Sequence, residues 1–277
     1  MRLPVRALNA AADFLFPERC VLCGNFILPK TRAGPYPLCL HCVSALSYPE
    51  PPRCRLCSRP LISEKGVCMS CRRISLKEPD KGANQAAPGQ AEKRGGGAPA
   101  AGPAGSYNET AIFPFEENVS VFVYQDPGIA ELVVSWKGRK NRSLAAFFAE
   151  KLLAEYNSRW KGLPIVPVPS RPASLKKRGF DPILLLCREM QKRGGPPALR
   201  LISRKGKTRE QKSLNRDERQ RNLLGALVPR RKLCATLPRA VVLLDDVFTT
   251  GATAAACTEV LKGMGIEKVY VLTIALD

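Results

Sequence analysis

The sequence predicts an α/β fold, with a mainly parallel sheet flanked by helices behind a small N-terminal zinc ribbon. Three observations carry this expectation. Ala240-Val241-Val242-Leu243-Leu244 is an apolar run ending in Asp245-Asp246, then a stretch of small and hydroxyl residues, then a helical pattern from Ala254 to Leu261. That order reads as a buried parallel strand with acids at its carboxyl end, where open α/β sheets bind ligands. Strand-like and helix-like patterns alternate from Ala111 to the end of the chain, which is the signature of βαβ units. Eight of the 11 cysteines fall in the first 71 residues as four Cys-x-x-Cys pairs.

The cysteine segment comes first. Cys20/Cys23, Cys39/Cys42, Cys54/Cys57 and Cys68/Cys71 each offer two thiolates from one tight turn, and two such pairs complete a tetrahedral zinc site. Sequential pairing puts Cys20, Cys23, Cys39 and Cys42 on one ion and Cys54, Cys57, Cys68 and Cys71 on a second; an interleaved pairing is the alternative. Gly24 follows the first pair, where a positive φ helps close the knuckle. His41 lies inside Cys39-Leu40-His41-Cys42, and with four cysteines available it is expected in solvent. A disulfide framework belongs with secreted chains. Met1 to Phe16 lacks the pattern of a signal peptide and reads as a short amphipathic helix using Leu8, Ala11, Ala12 and Leu15. A segment with so few large apolar residues needs metal to fold.

Residues 77–110 read as a flexible Gly/Ala/Pro-rich linker, too poor in apolar groups to offset ordering entropy. The units expected are therefore 1–76 (helix and double ribbon), 77–110 (linker) and 111–277 (α/β domain). In the last, Val119 to Tyr124 is a strand, and Ile129, Leu132, Val133 and Trp136 mark one helix face. Leu144, Phe147, Phe148 and Leu152 mark a second helix, Leu163 to Pro169 holds a short strand, and 170–180 is a loop. Ile183 to Gln191 is helical, and Lys268 to Leu276 is the last strand. No apolar run reaches the about 18 residues of a membrane helix.

The net charge is +20, with +7 in 1–76, zero in 77–110 and +13 in 111–277. Such an excess favours polyanionic or phosphorylated partners. Small residues at Thr249, Thr250, Gly251, Ala252 and Thr253, ahead of a helix N-terminus, make a phosphate cradle beside Asp245 and Asp246. Arg171, Lys176, Lys177, Arg178 and Lys212 are placed to meet a pyrophosphate or a nucleic-acid backbone. Phe180, Trp136 and Tyr124 are candidate stacking faces, with core packing the competing role for Trp136 and Tyr124.

The stretch from Ala240 to Thr253 resembles the binding motif of the type I phosphoribosyltransferases. That resemblance implies that Asp245 and Asp246 hold the ribose hydroxyls of phosphoribosyl pyrophosphate and that Thr249 to Thr253 hold its 5′-phosphate. It also implies magnesium bridging pyrophosphate and ribose. Phe248 is larger than the residue usual there and is expected to narrow the sugar site. Val166-Pro167-Val168-Pro169, Arg178-Gly179-Phe180, Thr208 to Leu214 and Arg219 to Leu223 extend the likeness. With the cysteine pairs, the chain looks like the ComF family of competence-associated proteins, nearly end to end. The resemblance implies a cytoplasmic protein that binds phosphoribosyl pyrophosphate or a nucleotide and handles single-stranded DNA with the uptake machinery. Alternatives are an active amidophosphoribosyltransferase-like enzyme and a phosphoribosyl pyrophosphate sensor. Residues 170–180 then correspond to the pyrophosphate loop and 204–223 to a hood over the site. Asp181 and Pro182 stand where the family has Asn-Gln, so an amide at this loop is replaced by a carboxylate.

Overall fold

The structure, a computed structural model, describes residues 17–75, 113–138, 141–205, 225–230 and 236–277. The expected N-terminal helix and the whole of the expected linker, 77–110, lie outside the described residues.

A parallel sheet of four strands forms the centre, in the order β1 (Glu117–Val123), β6 (Lys268–Leu276), β5 (Ala240–Phe248), β2 (Ile165–Pro167). The alternation of β5 explains its two faces. Val242 and Leu244 join one apolar cluster, and Val241 and Leu243 the other, all fully buried. On the first face pack α3 (Pro127–Lys137), α4 (Leu144–Arg159) and α6 (Pro182–Lys192). Ile129, Leu132, Val133 and Trp136, the face expected of α3, are each 0% exposed. At about 1.5–3 kcal/mol per large apolar side chain, their burial far exceeds what helix propensity gives α3. On the second face lie α7 (Ala252–Gly263) and the antiparallel pair β3 (Ile202–Arg204) with β4 (Leu227–Pro229).

The ribbon is not a free appendage. Its two short helices, α1 (Leu40–Ser44) and α2 (Met69–Ser75), begin within the second knuckle of each set and carry its last cysteine, Cys42 or Cys71. Ile27, Tyr36, Leu38 and Leu46 join the first apolar cluster, and Leu56, Leu61 and Val67 the second. The ribbon also closes the open edge of β1. Asn118 N–H donates to Arg55 O at 2.7 Å, Ser120 N–H to Ser58 Oγ at 3.1 Å, and Val123 N–H to Ser47 O at 3.2 Å. The Arg53 guanidinium donates to Ser120 O at 3.3 Å. An uncovered parallel edge strand exposes unpaired donors and acceptors, so this contact removes an aggregation edge. Ser58 adopts φ 64°, unusual for a non-glycine, and its buried hydroxyl is the one that receives Ser120.

Between β2 and α6 lies α5 (Pro172–Arg178), within the stretch read from sequence as a loop. Pro172 sits at its first turn and Gly179, with φ 74°, ends it.

Candidate functional site

β5 continues through both acids to Phe248 rather than stopping at them. Val168 N–H donates to Leu244 O at 2.9 Å, pinning the chain beyond β2 next to β5. Together the carboxyl ends of these neighbouring parallel strands open a cleft of about 350 Å³. Ser170, Arg171, Arg178, Arg204, Asp245, Asp246 and Thr253 line it.

The alternation of β5 gives the two acids different neighbours. Asp246 meets Lys137, the last residue of α3, with Nζ 2.7 Å from Oδ2. Its Oδ1 accepts Val247 N–H at 2.7 Å. Asp245 Oδ1 accepts Asp246 N–H at 2.8 Å. Burial, then the charge of Asp246, pushes the Asp245 carboxyl up to about 8, against the pull of Lys137 and Arg204. Asp245 keeps a part-exposed surface toward the cleft, so solvent tempers the burial effect. The two carboxylates are therefore unequal: one is ion-paired with Lys137, and the other has its charged form disfavoured by burial.

Arg204 ends β3 with its Nε buried and without a hydrogen-bond partner, and burial and the nearby Arg171 guanidinium depress its pKa. Two guanidiniums that repel each other beside an unsatisfied donor make a strong electrostatic preference for an anion between them. Neither Lys137 nor Arg204 was singled out from the sequence. Lys137 sits 109 positions from Asp246 and carries no local signal, and Leu201-Ile202-Ser203-Arg204 has no period-2 alternation that would draw notice to Arg204.

Of the cradle residues, Thr253 lines the cleft, and Thr249 and Thr250 are exposed. Gly251 is the N-cap of α7 at φ 75°, and a Cβ there meets Phe113 Cε1 at 2.7 Å and Phe248 Cζ at 2.8 Å. Ala252 N–H turns to Thr250 Oγ1 at 3.4 Å. Phe248 does not narrow the sugar site. It is 4% exposed and lies edge-on to Phe113 and Phe115, with centroids 6.2 Å away in each case. The strand period takes it into the core, on the side opposite Val247.

Arg171 and Arg178 reach the cleft, whereas the exposed Lys176 and Lys177 are not among its lining residues. Lys212 and most of the expected hood lie outside the described residues; β3 and β4, an antiparallel pair, flank that stretch of sequence. Asp181 has a local explanation. Its Oδ1 accepts Ile183 N–H at 3.0 Å, Leu184 N–H at 3.2 Å and the Ser170 hydroxyl at 3.1 Å. It caps α6, and Pro182 fills the first helical position, where no donor is needed. Trp136 is 0% exposed and Tyr124 packs against the core, so neither offers a stacking face. Phe180 is half-buried with the Arg142 guanidinium 4.5 Å above its ring.

The cysteines fall into the sequential sets. The sulfurs of Cys20, Cys23, Cys39 and Cys42 all lie within 4.8 Å of one another, as do those of Cys54, Cys57, Cys68 and Cys71. Tetrahedral zinc with Zn–S bonds of about 2.3 Å sets sulfurs about 3.8 Å apart; Cys23 and Cys39 are at 3.9 Å and Cys57 and Cys68 at 3.6 Å. In the second set, hydrogen bonding with Cys57 and Cys71 holds the Cys54 thiol far below its ordinary range, and the same contact with Cys54 pushes Cys71 far above. Four thiolates at this spacing require a cation, and the donor set fits zinc. Both knuckles use one backbone pattern: Gly24 N–H to Cys20 O and Ser58 N–H to Cys54 O.

A double zinc ribbon ahead of an α/β domain built on a parallel sheet is thus the class that fold and site define. A family model described as the double zinc ribbon domain matches residues 11–72. The chain is 30% identical over 112 residues to Competence protein F of Haemophilus influenzae, covering 40% of this chain and 49% of that protein. It therefore spans about half the length of this curated relative. Two solved structures have some likeness. A hypoxanthine phosphoribosyltransferase from Staphylococcus aureus is 15% identical with a TM-score of 0.32, over 49% of this chain and 64% of that one. An adenine phosphoribosyltransferase is 16% identical with a TM-score of 0.25, over 55% and 74%. The fold class rests on the sheet and its helices. Among the described residues no helix is long and apolar enough to cross a membrane.

Proposed function

We propose that this chain binds phosphoribosyl pyrophosphate or a nucleotide in the cleft and acts in the cytoplasm in competence-related uptake or processing of single-stranded DNA. One observation carries the ligand reading: an acid pair and a helix N-terminus meet at the carboxyl ends of two adjacent parallel strands, ringed by Arg171, Arg178 and Arg204. Asp245 and Asp246 take the ribose hydroxyls. The stretch Thr249 to Thr253 takes the 5′-phosphate through its N–H groups and hydroxyls. The arginines take the pyrophosphate, the exposed Lys176 and Lys177 extend the basic surface toward a nucleic-acid backbone, and Lys212 contributes a further charge to that contact. Magnesium arriving on the pyrophosphate supplies charge neutralisation. The competence reading is supported by the likeness to Competence protein F and by the charge of +20.

A second reading, turnover as a phosphoribosyltransferase, is favoured by the three arginines, which suit charge building on a departing pyrophosphate. A pyrophosphate-release assay against ammonia, glutamine and free bases separates the two. Affinity without release supports binding or sensing; release supports the transferase.

The DNA arm uses the same variants. Asp246→Asn should weaken phosphoribosyl pyrophosphate by about 1.5–3 kcal/mol and leave single-stranded DNA binding unchanged or tighter. Arg178→Ala and Lys212→Ala should weaken DNA binding and flatten its salt dependence. Absence of any DNA binding at low salt overturns the competence reading, and absence of phosphoribosyl pyrophosphate binding overturns the cradle.

A further inference from the structure

Asp246 has both oxygens engaged inside the protein, by Val247 N–H and by Lys137 Nζ, each at 2.7 Å. Lys137 stands on a firmly held element. Asp126 caps the start of α3, four fully buried side chains fix its face, and Gly138 N–H closes on Val134 O at 2.9 Å. A cation in the last turn is also favoured by the helix dipole. The side chains of Lys137 and Asp246 are 23% and 25% exposed, so their contact is partly shielded from water. Asp246 lines the cleft, whereas Lys137 is not among the lining residues. The lysine therefore holds the carboxylate from the end of α3 without itself lining the cleft.

We propose that Lys137 is a positioning residue of the cleft, fixing the Asp246 carboxylate from the end of α3 so that it meets ribose hydroxyls in one orientation. The inference rests on the reading of the cleft as a ribose-phosphate site. Two adjacent carboxylates repel, and the lysine offsets one of them. Without it Asp246 is free to turn toward bulk water, and the pair carries uncompensated charge. The groups facing Asp245 are Asp246 on its own strand, Lys137 from α3, Arg204 from β3 and Cys257 from α7. Removing Lys137 deletes one of the two cations, so Asp245 should hold its proton to higher pH.

The test uses the zinc-loaded full chain and four variants: Lys137→Met, Lys137→Arg, Asp246→Asn and the Lys137→Met/Asp246→Asn double. Calorimetry at pH 7 with ribose 5-phosphate and with inorganic pyrophosphate gives the readout. Lys137→Met and Asp246→Asn should each weaken ribose 5-phosphate on the order of tenfold, and the double variant should be no worse than either, because the two act as one unit. Lys137→Arg should restore most of the affinity, and pyrophosphate binding should be unchanged in Lys137→Met. Equal loss of both probes makes Lys137 a direct ligand contact and overturns the positioning role. If the parent binds ribose 5-phosphate and Lys137→Met binds it as tightly, the positioning role fails alone. If the parent does not bind it, the cradle reading fails and takes this inference with it. Carboxyl NMR gives a check without ligand: the Asp245 midpoint should rise in Lys137→Met, and an unchanged midpoint contradicts the proposal.

Discussion

Asp126→Ala probes how firmly the ribbon is tied to the α/β domain. Asp126 Oδ1 accepts Ile129 N–H at 3.1 Å as the N-cap of α3, and Oδ2 accepts Ser47 N–H of the ribbon at 2.9 Å. The lost cap costs about 1 kcal/mol. The bond to Ser47 has a charged acceptor, worth about 1.5–3 kcal/mol when shielded. Ser47 is exposed, so water replaces part of it and about 1 kcal/mol remains. The sum is about 2 kcal/mol, or roughly 4–8 °C in Tm for a domain of this size. Asp126→Asn should keep the cap, since Asn caps as well as Asp, and lose only the charged part, about half the effect. Urea unfolding of zinc-loaded protein, followed by helix signal and by zinc release, measures both. Asp126→Ala within about 0.5 kcal/mol of the parent, or Asn as damaging as Ala, refutes the assignment of two separable roles.

Purified protein should hold two zinc ions per chain, and Cys39→Ser with Cys42→Ser should lose about one by metal analysis. Gly251→Ala forces a side chain into a left-handed φ and against Phe113 and Phe248; urea unfolding should show a loss of about 2–4 kcal/mol. The Asp245 carboxyl is raised to about 8, so its charged form is the penalised one. The penalty is complete above pH 8 and fades as pH falls toward the unfolded value of about 4. Asp245→Asn should therefore gain stability over the parent increasingly from about pH 5 to 8 and level off above that, and a gap that stays flat from pH 5 to 8 contradicts the assignment.

Local patterns carried much of the fold into view. The apolar run before Asp245 and the i, i+3, i+4, i+7 face of Ile129 to Trp136 depend on nearest-neighbour periodicity, and both match the structure. The eight paired cysteines were legible as ligands because each pair's spacing is set by a single turn, whereas their division into two sequential sets needed the fold. What was not legible depends on distant partners. Nothing near Ser47, Arg55 or Ser58 says that their backbone or hydroxyl will close the edge of β1. Lys137 is an ordinary helix-end lysine until the fold brings it to Asp246. Phe248 followed the strand period into the core, because β5 runs on past the acids that mark its expected end. The carboxylate at 181, a departure when compared with a family pattern, is a helix cap once Ile183 and Leu184 are seen beside it.

The central claim is that the carboxyl ends of β2 and β5 form a ribose-phosphate cradle. Amide chemical-shift mapping of the deuterated, zinc-loaded chain with ribose 5-phosphate tests it most directly. The account predicts saturable shifts concentrated at Thr249 to Ala254 and at Val168 to Ser170, abolished in the Asp245→Asn/Asp246→Asn double variant. Shifts confined to the ribbon, or no shift at the N-terminus of α7 at millimolar ligand, contradict it.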